Sequence, residues 1–75
     1  MHTNAMHRLQ ILELLYKQME SEPSRPWVHH KQLNTWGKAD FALASLMQLG
    51  MIEKKGSSYR IAGVGILEVE AQENE

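Results

Sequence analysis

The run from Leu46 to Ile61, L-M-Q-L-G-M-I-E-K-K-G-S-S-Y-R-I, constrains this chain more than any other stretch. Upstream of it, Ala42, Leu46 and Leu49 recur at i, i+4 and i+7, which puts them on one face of a helix expected over Lys38 to Leu49. Gly50 follows at the point where a helix end favours a left-handed residue without a Cβ. Met51 to Lys55 then reads as extended. Gly56-Ser57-Ser58 has turn chemistry, and Tyr59-Arg60-Ile61 returns as a β-rich run. One helix, a glycine stop, a strand, a tight turn and a second strand therefore follow each other without a spacer.

Length sets the next bound. Seventy-five residues make one small domain, expected over residues 1–75 with 1–4 and 72–75 frayed. A chain of this size buries only about 60% of its unfolded surface, so its own core is marginal. There is no cysteine, hence no disulfide or thiolate metal site to add stability. Oligomerisation is the remaining source. No apolar run reaches the roughly 20 residues of a membrane span, and the N-terminus lacks a signal-peptide core, so the expectation is a cytoplasmic protein that does not engage a membrane. The formal net charge is −1. That value hides an uneven distribution, because Glu68, Glu70, Glu73 and Glu75 crowd the C-terminus and the remainder is mildly basic.

From Ala5 to Glu20 the pattern is helical, with Thr3 or Asn4 as a capping residue. Leu9, Leu12, Tyr16 and Met19 form one stripe, and Ile11, Leu14 and Leu15 widen it. A stripe this wide has two readings. The helix is sunk deeply in its own small core, or one edge faces the domain and the other faces a second copy of the chain. Ser21 to Pro26 is a loop, since two prolines fix φ and push the preceding residues from helical geometry. A short second helix runs from His29 to Thr35 or Trp36, with Leu33 and Trp36 facing inward and a turn at Gly37. Asp40 suits the first turn of the third helix through the macrodipole. Residues 64–71 are ambiguous. Leu67, Val69 and Ala71 alternate with Glu68 and Glu70 as in a strand, whereas Val64, Leu67, Glu68 and Ala71 fit a helix with a thin apolar edge.

The order helix, glycine, apolar pair, basic turn and aromatic return strand in L-M-Q-L-G-M-I-E-K-K-G-S-S-Y-R-I resembles the winged helix-turn-helix family. The resemblance spans Ala5 to Ala71. Its motif detail is confined to Leu46 to Ile61, and elsewhere it is one of element order. It implies an α+β winged helix: a three-helix core, a small antiparallel sheet with one wing, and a helical C-terminal extension. It also implies that Trp27-Val28 is a short strand joining the wing's sheet. Ala62 departs from the pattern, because Thr or Ser commonly stands there in the family as a helix cap.

The function implied is sequence-dependent binding of double-stranded DNA by a small, dimeric transcriptional regulator. The third helix would enter the major groove and the wing would lie on the backbone. Lys38, Ser45 and Gln48 are the candidates on the third helix, with Phe41 and Ala44 nearer the same exposed surface. Gln bonds adenine bidentately, Ser bonds either groove edge, and small apolar groups touch a thymine methyl. Lys54, Lys55, Ser57 and Arg60 surround the wing turn and suit phosphates. The bland alternative is that the lysines merely protect a sheet edge. The homodimer would form through the first helix and the C-terminal segment. A second function class is a protein–protein interaction module without DNA binding, since a fold does not fix function.

Other chemistry has little support. His29-His30 are adjacent and so share neither a helix nor a strand face, and no metal or cofactor is expected. Gly63-Val64-Gly65 lacks the third glycine and preceding strand of a dinucleotide loop. No serine has convincing histidine and carboxylate partners, so no enzyme is expected. Trp27 and Trp36 are expected in the core.

Overall fold

A computed structural model describes residues 3–33 and 39–73. Along the chain run α1 (Thr3–Ser21), β1 (Val28–His29), α2 (His30–Leu33), α3 (Ala39–Gln48), β2 (Ile52–Lys55), β3 (Ser58–Ile61) and α4 (Gly63–Glu73). Among the described residues they form a small α+β domain in which four helices accompany a three-stranded antiparallel sheet of order β1-β3-β2. Among the described residues, no helix is long and apolar enough to cross a membrane.

The sheet follows from its alternation. Val28 pairs with Tyr59, and Ile52 with Ile61, and all four side chains are buried on one face. Glu53, Lys55 and Arg60 alternate to the other face, as a period of two requires. Two backbone bonds extend the ladder. The His30 N–H donates to the Ser57 carbonyl at 2.8 Å, and the Ala62 N–H donates to the Met51 carbonyl at 2.8 Å.

Helix α1 is the axis of the core and packs on α3, β3 and α4. Its buried centre is Ile11, Leu12 and Leu15, while Leu9, Leu14, Tyr16 and Met19 flank it half-buried. The wide stripe is thus graded, deepest along Ile11–Leu15. Helix α3 contributes Ala42, Leu43 and Leu46. Burying side chains like these stabilises by about 1.5–3 kcal/mol each for the larger aliphatics.

The stop after α3 has the expected cause. Gly50 has φ +75°. The Met51 N–H donates to the Leu46 carbonyl at 3.0 Å and the Gly50 N–H to the Met47 carbonyl at 3.1 Å, the paired bonds of a Schellman cap. Gly56, at φ +62°, turns the β2–β3 hairpin.

Several sequence expectations shift by small amounts with identifiable reasons. Leu49 does not share the buried face of Ala42 and Leu46, because the cap begins at that residue and leaves it 55% exposed; Leu43 takes the inner position. Helix α1 begins at Thr3, so Thr3 and Asn4 lie within the helix, not ahead of it as caps or frayed residues. Residue His29 belongs to β1, and α2 starts at His30. Leu33 is buried as expected, whereas Thr35, Trp36, Gly37 and Lys38 lie outside the described residues. Trp27 is half-buried and not part of the core.

The last segment is helical and runs to Glu73, so Gln72 and Glu73, expected to fray, belong to α4. It does not bury the edge that suggested a helix. Gly65 and Val69 face inward with Ile66 half-buried, and Val64 and Leu67 are left exposed. Gly65 explains the choice. A Cβ there would meet the Met51 carbonyl oxygen and come within 2.8 Å of Ile61 Cγ1 and 3.2 Å of Leu12 Cδ2. Only a glycine lets α4 sit this close to the sheet, and that contact selects which side of α4 turns inward.

Candidate functional site

Helix α3 and the β2–β3 hairpin carry most of the candidate residues, and α3 packs directly on β2. The outward side of α3 presents Asp40, Phe41, Ala44, Met47 and Gln48. It is mostly apolar, with Asp40 in the first turn and Gln48 at the last helical position as its hydrogen-bonding groups. Lys38 lies outside the described residues. Ser45 is half-buried, and its hydroxyl donates to the Phe41 carbonyl at 3.0 Å and lies 3.4 Å from that of Ala42. That hydroxyl is engaged by its own helix, a common fate of serine within a helix.

The hairpin candidates divide into two kinds. Lys54, Lys55 and Ser57 are exposed around the turn. Lys54 faces its cross-strand partner Tyr59, with Nζ 5.9 Å from the ring centre, a distance at the limit of a cation–π contact. The Ser57 carbonyl accepts the His30 N–H, which ties the turn to the start of α2. Arg60 is held instead of free. Its Nε and Nη2 both lie 2.6 Å from Glu53 Oε1, and its guanidinium carbon lies 5.3 Å from the centre of the Trp27 ring. β2 is an edge strand, a position where lysines such as Lys54 and Lys55 discourage edge-to-edge pairing.

Two features of this region are not readable from spacing. The first joins the two short helices: His30 Nε2 lies 3.4 Å from Asp40 Oδ1, and the His30 ring lies 6.4 Å from that of Tyr59. The second is the neighbouring His29, whose Nδ1 accepts the Lys31 N–H at 3.1 Å and caps the first turn of α2. Accepting at Nδ1 leaves Nε2 as the protonated position of the neutral ring. Both contacts depend on the boundary between β1 and α2 falling between residues 29 and 30. A sequence pattern locates such a boundary only within a few residues.

A second concave region lies on another part of the surface. Helix α1, the end of α3 and α4 enclose a groove of about 450 Å³. Its floor is Leu9, Leu12, Leu46 and Met51, and Met6 and Leu49 stand on its rim. The polar lining comes from Arg8 on α1 and from Glu68 and Gln72 on α4. Gln72 Nε2 donates to Glu68 Oε2 at 3.1 Å. Val64, Leu67 and Ala71, the apolar edge expected to pack, are exposed and do not line this groove.

The chain matches no protein-family model, no curated protein and no solved structure.

Proposed function

We propose that this chain is a winged helix-turn-helix protein that binds double-stranded DNA as a small transcriptional regulator. In this reading α2 and α3 are the helix-turn-helix, α3 enters the major groove, and the β2–β3 hairpin is the wing on the phosphate backbone. The observation that carries it is the direct packing of α3 on β2, joined through the Gly50 cap. It ties an exposed helix side to a hairpin whose first strand ends in exposed Lys54 and Lys55.

Roles follow from chemistry. Gln48 suits an adenine edge, and the exposed Phe41 and Ala44 suit thymine methyl groups. Lys54, Lys55 and Ser57 suit phosphates, and Lys38, just ahead of α3, would add a further cation. Arg60 contributes by holding the hairpin against Trp27. Ser45 contributes less to base contact because its hydroxyl is already engaged. With so few cations, affinity rests on few phosphate contacts and its salt dependence is shallow.

An amide chemical-shift titration with mixed-sequence duplex DNA at low and then moderate salt tests the reading. Expected are shifts gathered on residues 39–48 and 52–61 that weaken as salt rises. No shifts at low salt would sink it, because even non-specific binding shows there.

A second reading is favoured by one observation. Phe41, at 60% exposed, and Met47 stand on the outward side of α3, which carries no lysine or arginine among the described residues. Such an apolar helix face also suits a protein-interaction module. Protein binding mapped to Phe41 and Met47, with no DNA shifts, would select it.

A further inference from the structure

We propose that the outer face of the sheet carries a phosphate site spanning all three strands, in which Lys55 of β2, Ser58 of β3 and His29 of β1 together hold one backbone phosphate of duplex DNA. The inference rests on the DNA reading above. It adds Ser58 and His29, which no sequence spacing brings to the hairpin, and it separates the two adjacent lysines.

Sheet register builds the row. Lys55 pairs with Ser58, and Ser58 pairs with His29. Residues directly opposite in antiparallel strands share a face and stand about 5 Å apart. All three lie on the face away from the buried Val28, Ile52, Tyr59 and Ile61. With strand order β1-β3-β2, Ser58 is central and the other two flank it. Lys55 and Ser58 also flank the Gly56 turn, so the row lies at the tip that the DNA reading lays on the backbone.

The neighbouring row on the same face shows the contrast. There Arg60 is held by Glu53 and by the Trp27 ring, so cation, anion and aromatic satisfy one another. The row of Lys55, Ser58 and His29 holds donors and no carboxylate. Neither the Lys55 ammonium nor the half-buried Ser58 hydroxyl has a side-chain partner among the described residues. His29 Nδ1 accepts the Lys31 N–H at 3.1 Å, so the neutral ring turns its Nε2–H away from its own backbone.

A phosphodiester fits this set. It carries one negative charge and two non-bridging oxygens, each an acceptor. The flexible four-carbon stem of Lys55 can bring its ammonium back over Ser58 to one oxygen. The imidazole Nε2–H reaches the other from the far end of the row, and the Ser58 hydroxyl donates between them. Such bonds to a charged oxygen are the strong kind. Lys54 does not take part, because it pairs with Tyr59 on the opposite face, with Nζ 5.9 Å from that ring. The two lysines therefore meet different phosphates.

Fluorescence anisotropy of the full chain with a labelled mixed-sequence duplex at low salt tests the site, with circular dichroism as the check on folding. Lys55→Ala should weaken binding and flatten the slope of log K against log salt by about 1. Ser58→Ala should weaken binding by about 3- to 10-fold with the slope unchanged, since it removes a neutral donor, and Ser58→Thr should retain affinity. His29→Asn keeps an acceptor for the Lys31 N–H but loses the Nε2–H, so it should weaken binding to a similar extent. His29→Gln keeps an N–H near the Nε2 position and should bind nearly as the unaltered chain does. The losses from Lys55→Ala and Ser58→Ala should be non-additive, whereas those from Lys54→Ala and Ser58→Ala should add.

No binding by the unaltered chain would overturn the DNA reading and this site with it. Binding that is indifferent to Ser58→Ala and His29→Asn would overturn the site alone. So would additive losses at Lys55 and Ser58, or a loss confined to His29→Gln, which would leave His29 only as the cap of α2. Should a change at His29 disturb folding, the pair Ser58→Ala and Ser58→Thr decides the question, and equal affinities for the two would overturn the site.

Discussion

Arg60 lies over Trp27, its guanidinium carbon 5.3 Å from the ring centre, while its Nε and Nη2 reach Glu53 on the neighbouring strand. One side chain on the central strand thus ties β2 to the segment that enters β1. Both partners are partly solvated, so the ion pair alone contributes little. The guanidinium stacked on the indole adds about 0.5–1 kcal/mol. Arg60→Ala is therefore expected to lower stability by about 1 kcal/mol in urea denaturation. Arg60→Lys should recover only part of that, because an ammonium lacks the planar fork and the stacking surface. Full recovery by lysine would mean that charge alone matters at this position.

Gly65 gives the sharpest packing test. A Cβ there would press on the Met51 carbonyl oxygen and on Ile61 Cγ1 at 2.8 Å. Backbone cannot rotate aside, and Ile61 is itself fully buried. Gly65→Ala is expected to destabilise by about 1–2 kcal/mol net, an overpacking cost of up to about 3 kcal/mol less alanine's helix preference of roughly 1 kcal/mol. Gly63→Ala is the control, since nothing lies within 4 Å of the added atom. It should be neutral or slightly stabilising. Equal denaturation midpoints for the two variants would rule out the close approach of α4 to the sheet.

These two residues also show what the sequence made legible. The run from Leu46 to Ile61 announced its structure because each signal was local: the Gly50 cap, the strand of Ile52, the Gly56 turn and the return through Tyr59 all lie within a few residues of their causes. The α+β composition of the domain followed from that run and the element order, whereas the closing helix was ambiguous in the residues and came only from the family resemblance. The packing of α4 was not legible, because its determinant is a missing Cβ opposite Met51 and Ile61, distant contacts that periodicity does not encode. Val64, Leu67 and Ala71 marked an apolar edge correctly but not the direction in which it turned. Leu49 failed for a related reason: helical periodicity was extended through the residue at which the cap ends it. In the candidate site, the exposed lysines of the hairpin were legible from its turn chemistry. The engagement of Ser45 by its own helix, of Arg60 by Glu53 and Trp27, and of Asp40 by His30 was not.

Gly50 and Gly56 carry a purely conformational cost on substitution. Both have positive φ, and both have open space where a Cβ would go. Gly50→Ala and Gly56→Ala are each expected to cost about 1–2 kcal/mol, the penalty of left-handed backbone for an L-residue. Gly50→Asn should cost less, since asparagine tolerates that region. The comparison is read from denaturation midpoints. An alanine at 50 without effect would show that the Schellman bonds from Gly50 and Met51 do not hold the helix end.

The last prediction separates the two functional readings by their salt dependence. In the DNA reading, Lys54→Ala/Lys55→Ala removes two phosphate contacts, so the slope of log K against log salt should flatten by about 2. Phe41→Ala should act differently. Its side chain is largely exposed, so folding should be unaffected. It carries no charge, so the slope should stay the same while affinity falls only at sequences that place a thymine methyl against it. Fluorescence anisotropy over a salt series measures both quantities with one labelled duplex. If the lysine variant leaves the slope unchanged, the hairpin is not a phosphate contact and the lysines act only as protection for the β2 edge. If Phe41→Ala instead abolishes capture of a protein partner while DNA affinity is absent throughout, α3 is a protein-binding face, and its mostly apolar outward side is the reason.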